Sequence, residues 1–409
     1  KPPSTEMDKT FTWWDKRIHY RVLVTIENTV ARPALGQEAF AYPVEIELNF
    51  SELLQESSIT PTSFAELEFD PQSVRVIEYS KEGTPIAEVP YQMDKTIYFF
   101  DTKFNPRVIL CWIIRKPIEA KNTKYFYVYF DTAKNQAPKY SVKYPYRGLS
   151  VSGTDGKGYW LKNDRFKVGV SSPSENNTPN FSLINSWVVR NFSTGFFTHL
   201  NLIDAKTVGF GSIQDAVPAG DLLLQNQADG PLLAKFHAFS KDGDGYLFNF
   251  YENLPICEVF TDSRINEFNN SYLIPQSYLA AALKDKMSAF SGAEYISSNY
   301  TRGKIPADKP IDNLQSNDSY WLAQRIVKGL TIASITPENG VTHYLKATPE
   351  DSNISISFGV AGTKPLHHFI LYADTAEPNT FDILNQIKNV FTLENLPVIQ
   401  RSRAEKLSP

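Results

Sequence analysis

The chain has 409 residues, 42% of them hydrophobic and 13% aromatic, with 27 Phe, 21 Tyr and a formal net charge of -4. That length exceeds one ordinary core and predicts two or three domains, and the mildly acidic balance leaves no electrostatic footprint for nucleic acid or anionic membranes. A mean hydropathy of -0.31 and apolar runs no longer than Val108–Ile114 predict a chain without a transmembrane segment.

Residues 1–10 are polar and Pro-containing and read as an N-terminal arm. Their first residue, Lys1 in place of Met, predicts a processed protein whose signal segment has been removed. From Phe11 the pattern changes to strict alternation. Arg17–Ile26 sets Ile18, Tyr20, Val22, Val24 and Ile26 on one face, the mark of a half-buried strand. Pro43–Phe50 repeats it with Val44, Ile46, Leu48 and Phe50. Ser73–Tyr79, Thr96–Phe100, Val108–Ile114 and Tyr125–Phe130 follow, separated by Pro, Gly, Asp and Asn. Short strands with turn signals between them predict an immunoglobulin-like antiparallel β-sandwich over residues 11–132. Tyr125–Phe130 is aromatic on both faces and should be a central strand, covered on both sides.

Alternation stops at Ala133–Tyr146, where Lys and Pro accumulate, and residues 133–146 read as a linker. Residues 147–400 then predict a larger β-sandwich with one or two helices. Its strand candidates begin with Tyr159–Val170, turning at Asn163-Asp164, and continue with Trp187–Phe192, Leu222–Gln225, Leu232–Phe239, Tyr246–Tyr251 and Glu258–Thr261. Lys241–Gly245 carries the Asp-Gly pair that tight hairpins require. Helices are expected near residues 274–290 and 381–393; the second places Ile383, Leu384, Ile387, Val390 and Phe391 on one side. Between them Leu330–Ile335, Thr342–Ala347, Ile354–Val360 and His367–Tyr372 read as strands, and residues 401–409 as a C-terminal tail.

Asn-x-Ser/Thr triplets without a central proline stand at Asn49, Asn176, Asn180, Asn191, Asn269, Asn299, Asn317 and Asn353. Each is a candidate N-glycan acceptor, which places the chain outside the cell or on its surface. Composition alone would supply roughly half as many. The two cysteines, Cys111 and Cys257, form either one staple between domains or two separate buried thiols; no zinc spacing is present.

Chemistry-bearing patterns are sparse. A polysaccharide lyase needs a base beside a carboxylate-neutralising group, and His237, Tyr251 and Arg264 are the candidates, with His237 and Tyr251 set to approach across the Asp-Gly hairpin. Glu252, Glu258, Asp262 and Glu267 cluster in sequence as paired carboxylates of a glycosidase would, but spacing along loops fixes no distance and a solvated acidic face is the expected reading. His367 and His368, as neighbours in a strand, would face opposite ways. Asp242-Gly-Asp244-Gly opens like a calcium loop but lacks its later ligands, so no metal or cofactor is expected.

Trp14, Arg17–Ile26, Tyr42–Leu48, Ser73–Tyr79, Glu88–Gln92 and Tyr125–Asp131 together resemble a β-sandwich module near the N-termini of secreted archaeal and bacterial surface proteins. Asp164–Val170 and Gly230-Pro231-Leu232 resemble the large β-sandwiches of carbohydrate-active proteins. The resemblance implies a module that precedes either cell-surface regions or carbohydrate-active domains. The acceptor triplets, the aromatic sheets and the missing active-site pattern predict a structural or adhesive role at the cell surface, as a homo-oligomer, filament or other surface assembly; the alternative is a carbohydrate-active or polysaccharide-binding protein working through the second domain. The arm of residues 1–10 leading into Phe11–Trp14 is either a candidate strand for exchange between copies or an ordinary N-terminal strand paired within its own domain.

Overall fold

Strands dominate the chain because its β-branched and aromatic residues alternate with polar ones, and alternation buries one face of a pleated ribbon. The computed structural model describes residues 11–28, 30–31, 42–57, 68–95, 100–139, 141–142, 144, 148–154, 158–162, 166–171, 184–189, 223–239, 245–252, 254–261, 267–275, 294–306, 309–317, 319–326, 330–337, 341–350, 353–362, 367–375, 380–392 and 395–407. The fold is mainly β, built from antiparallel sheets, and the chain divides into two compact units. Unit 1 comprises residues 1–146 and 394–409; unit 2 comprises residues 147–393.

Unit 1 contains β1 (Tyr20–Glu27), β2 (Tyr42–Asn49), α1 (Phe50–Ser57), β3 (Phe69–Tyr79), β4 (Pro85–Val89), β5 (Tyr91–Lys95), β6 (Arg107–Ile114) and β7 (Thr123–Thr132). One sheet runs β1-β7-β3-β4 and the other β2-β6-β5. Val22, Val24, Val76, Phe126 and Val128 of the first meet Val44, Leu48, Leu110 and Trp112 of the second in one core. The central place expected for Tyr125–Phe130 is the one found: β7 lies between β1 and β3 and is buried on both faces. Its outward rings, Tyr125, Tyr127 and Tyr129, are covered by Phe11, with Trp13 and Trp14 packed alongside. The segment Phe11–Trp14 is thus engaged on its own unit, where Thr12 N donates to Gly83 O at 2.9 Å. Residues 1–10 and 96–99 lie outside the described residues.

Within the tail expected at residues 401–409, Arg401, Glu405 and Lys406 instead join this sheet. Two final strands, Val398–Arg401 and Glu405–Lys406 (β25 and β26 in the full count), both pair antiparallel with β1. Their register sets Ile26 opposite Ile399 and Arg21 opposite Glu405. Residues 394–400, expected in the second domain, likewise belong to unit 1, as do the residues expected to form the linker, 133–146. Neither change was visible in the alternation, because β25 and β26 are too short to show a period.

Unit 2 begins with β8 (Ser150–Thr154), β9 (Gly158–Lys162), β10 (Phe166–Ser171) and β11 (Ile184–Val189), which form a four-stranded sheet. Then come β12 (Leu223–Asp229), β13 (Leu233–Phe239), β14 (Gly245–Tyr251), β15 (Ile256–Thr261), β16 (Glu267–Pro275), β17 (Glu294–Ser297), β18 (Arg302–Lys304), β19 (Ile311–Asn317) and β20 (Trp321–Ile326). The remainder is β21 (Leu330–Ile335), β22 (Val341–Glu350), β23 (Asn353–Gly362), β24 (His368–Thr375) and the helix α2 (Thr380–Phe391). A nine-stranded sheet runs β12-β13-β14-β15-β24-β21-β20-β17-β18, and a second four-stranded sheet runs β16-β23-β22-β19. One core joins all three: Leu161 and Val168, Phe248 and Val259, and Leu345 and Phe358 pack in it together.

On the opposite face of the nine-stranded sheet lies α2. The five apolar residues expected on one side of this helix, Ile383, Leu384, Ile387, Val390 and Phe391, are all at least 91% buried. Phe381 stacks on Trp321, whose Nε1 donates to Asn385 Oδ1 at 2.8 Å. The helix expected near residues 274–290 begins with a correction: Ile274 and Pro275 end strand β16, paired with Ile354 and Asn353. Residues 276–293 lie outside the described residues.

Candidate functional site

Strands β13 and β14 pair as a hairpin, with Phe239 opposite Gly245; the five residues between them, 240–244, which include the Asp-Gly turn expected there, lie outside the described residues. A Cβ on Gly245 would stand 2.0 Å from the Ala238 carbonyl oxygen, so only glycine fits where the strands close. Register then decides the fate of the candidate pair. His237 faces Leu247 and Tyr251 faces Leu233, so His237 and Tyr251 share a face but lie four positions apart along β13. At the usual rise that is roughly 13 Å, too far for one proton relay. His237 stacks on Phe239, and burial lowers the pKa of its ring. Arg264 lies outside the described residues.

Tyr251 has other partners. Asn249 of β14 stands opposite Glu258 of β15, and β15 in turn pairs with β24, where His368 faces Phe260. Alternation turns Asn249, Tyr251, Glu258 and His368 away from the core and toward the face that carries α2. The Tyr251 hydroxyl donates to Glu258 Oε2 at 2.5 Å, and Asn249 Nδ2 donates to the same oxygen at 3.4 Å. His368 Nε2 stands 2.8 Å from Glu258 Oε1, and its ring stacks on Phe260 with Phe391 of α2 beyond. Burial pushes the Glu258 carboxyl up, but the hydrogen bond and charge of His368, with the bonds from Tyr251 and Asn249, outweigh it and hold the group below its usual range.

Asn249, Tyr251, Glu258 and His368 are each at most 5% exposed. A carboxylate, an imidazole and a phenol in contact are the parts of a proton relay, yet this one is closed over by aromatic rings and takes no substrate in this arrangement. The same burial corrects the solvated acidic face expected for the carboxylate run: Glu252 and Glu258 are both buried. Asp262 lies outside the described residues, and so does the side chain of Glu267. His367 is exposed while His368 is buried, as strand alternation requires.

A second buried pair lies in the core of unit 2. His343 Nδ1 is 2.9 Å from Ser334 Oγ, and neither residue has any exposed surface. Burial drives the His343 pKa down to about 3, so the ring is neutral at physiological pH. Cys111 and Cys257 are both buried free thiols in different units; burial raises the Cys257 pKa well above its ordinary value, which makes it inert. Among the described residues no three His, Cys, Asp or Glu side chains converge as a metal site, and no helix is long and apolar enough to cross a membrane.

Three of the glycan-acceptor triplets have described side chains. Asn49 is the N-cap of α1: its Oδ1 accepts from Ser51 N at 3.2 Å and its Nδ2 donates to Glu52 Oε1 at 2.9 Å. Asn299 and Asn317 are both exposed and adjoin each other, Asn299 Nδ2 donating to the Asn317 carbonyl oxygen at 3.1 Å. Asn299 Oδ1 accepts from Thr301 N and Oγ1, an Asx-turn within its own triplet. Thr342 Oγ1 donates to Asn317 Oδ1 at 3.0 Å. Asn269 and Asn353 lie in the paired strands β16 and β23, with side chains outside the described set, and Asn176, Asn180 and Asn191 lie wholly outside it.

No family model matches this sequence, and no curated protein matches it.

Proposed function

We propose that this chain is a secreted, N-glycosylated cell-surface protein with a structural or adhesive role, which assembles with copies of itself. The observation that carries the reading is the pair of exposed acceptors Asn299 and Asn317, which adjoin each other on one surface. The closed Tyr251–Glu258–His368 network adds support, since its polar groups are spent on one another rather than presented to a ligand. Intact-mass and glycopeptide spectrometry of protein from its native source should find glycan on Asn299 or Asn317, and electron microscopy of the same material should find assemblies. A bare, monomeric protein would end this reading.

A carbohydrate-binding role for unit 2 has one observation in its favour. Trp160 of β9 is 44% exposed on the outer face of its sheet, opposite Gly169, which carries no side chain to cover it. Lys167 Nζ lies 4.4 Å from its ring centroid, and Lys162 is exposed opposite Lys167. An exposed indole carrying one ammonium group over its ring, with a second lysine exposed on the neighbouring strand, suits an acidic polysaccharide. Affinity electrophoresis in gels containing such a polymer tests it: retardation lost in Trp160→Ala supports binding, and equal mobility of both proteins with and without polymer rules it out.

A further inference from the structure

The outer edge of the unit 1 sheet is finished by chain that arrives from the far side of unit 2 in sequence. Without β25 and β26, strand β1 would present its unpaired N–H and C=O groups along an open edge, the natural template for another strand. With them, Ser402 N donates to Leu23 O at 2.9 Å and Leu407 N to His19 O at 2.8 Å.

What holds this segment is mostly charge. Arg401 makes a two-pronged pair with Glu56 of α1, 3.0 Å on each side, and Arg403 Nε donates to the Glu56 carbonyl oxygen at 2.9 Å. Ala404 N donates to Glu56 Oε2 at 3.2 Å. Glu405 accepts Arg21 Nη2 at 2.8 Å, and the Arg21 guanidinium itself lies between the Trp13 and Tyr127 rings, 4.4 and 4.0 Å from their centroids. Apolar attachment is slight: Ala404 is buried in the core and Ile399 half-buried against it, while Val398 is 44% exposed. Withdrawing the segment therefore uncovers little apolar surface but leaves a bare strand edge, Glu56 without Arg401, and Arg21 without Glu405, its only carboxylate partner among the described residues. That combination recognises one sequence, the Val398–Lys406 segment, and each copy of the chain carries both the donor and the acceptor.

We infer that residues 398–406 are an exchangeable strand, and that the partner accepted at the β1 edge is the same segment of a second copy of this chain. This deepens the proposed self-assembly and rests on that reading. The contact joins unlike surfaces, so repeated donation builds an open chain or closes a ring. The six-residue stretch Thr392–Pro397 between α2 and β25 is a short connection of the kind that favours exchange.

Thr25 and Gln400 stand opposite each other across the junction, away from the core, and report on it directly. Full-length Thr25→Cys and Gln400→Cys variants, mixed and oxidised, should give a disulfide-linked dimer that neither variant gives alone; the buried Cys111 and Cys257 do not compete. In the double variant, oxidation of the dilute monomer should close the bridge within one chain and abolish assembly, and reduction should restore it. No cross-chain disulfide in the mixture, or full assembly by the internally bridged variant, would overturn the exchange. In the latter case self-assembly itself survives by another surface. A cross-chain disulfide without any larger assembly would support exchange while removing the filament reading.

Discussion

Both units bury charge on the face of a sheet turned away from the core, and they neutralise it in opposite ways. In unit 1 the buried charge is Arg21, a permanent cation held between the Trp13 and Tyr127 rings and paired with Glu405, whose side chain is a quarter exposed. In unit 2 it is Glu258, a carboxylate wholly enclosed and answered by His368, Tyr251 and Asn249. Unit 1 ties a detachable strand to its edge by a charge that no ordinary pH removes. Unit 2 ties three strands and a helix together through groups that titrate, and its core adds His343. One junction is built to open without unfolding the sheet, the other to stay shut.

Acid should separate the two most widely. His343 has a folded pKa of about 3 against an unfolded value of 6.5. Its contribution is fully present above pH 6.5 and lost as pH falls toward 3, by about 1.4 kcal/mol per unit and about 5 kcal/mol in all. Glu258 also has a lowered pKa, so its contribution is present above its unfolded 4.5 and lost as pH falls through the folded value. Unit 1 contains a single histidine, His19, with its side chain 38% exposed. Hydrogen exchange between pH 7 and 4, corrected for intrinsic rates, should therefore loosen β14, β15, β21 and β22 before β1 and β7. Equal loosening would remove the contrast. Alkali should not discriminate, because burial raises Tyr79 and Tyr91 of unit 1, Tyr91 to about 12, and Tyr246 of unit 2 alike. For these the stability is present below pH 10 and lost above it.

His368→Ala comes next. It leaves Glu258 enclosed without the imidazole that meets Oε1, and breaking a buried pair in this way costs about 3–5 kcal/mol. Denaturant unfolding should show that loss, and Glu258→Gln added to His368→Ala should recover part of it. A cost no larger than that of a surface change would show that the pair contributes nothing.

Arg21→Ala should cost less, about 2 kcal/mol, since it removes ring stacking and a partly solvated pair. The diagnostic readout is local: protection of residues 398–406 should fall while β3 and β6 are unmoved. Arg21→Lys keeps the charge but not the planar fork, so it should restore only part of the protection.

The smallest effect is at α1. Asn49→Ala should cost about 1 kcal/mol through loss of the N-cap, whereas Asn49→Asp keeps an acceptor for Ser51 N but sets a second carboxylate against Glu52, so it should recover only part of the loss. Both remove the glycan triplet, so comparing their melting temperatures separates the cap from the sugar.

The sequence by itself determined whatever is local and periodic. Alternation in Arg17–Ile26, Pro43–Phe50 and Val108–Ile114 placed β1, β2 and β6, and the doubly aromatic Tyr125–Phe130 announced a central strand, because a ribbon apolar on both faces must be covered twice. The apolar side of α2 was legible for the same reason at a different period. Asn49 shows where legibility fails locally: Asn-Phe-Ser-Glu is at once a glycan triplet and the start of a capped helix, and the string alone does not choose. The rest is decided by pairing between distant strands. Glu258 reads as one member of an acidic run until β14 and β24 bring Tyr251 and His368 against it, and His237 reads as the partner of Tyr251 until the register sets them four positions apart. Residues 398–406 look like a tail until β1 receives them. Hydrogen-bond register between strands far apart in sequence has no signature in composition or period, and it decided which charges meet and which are buried.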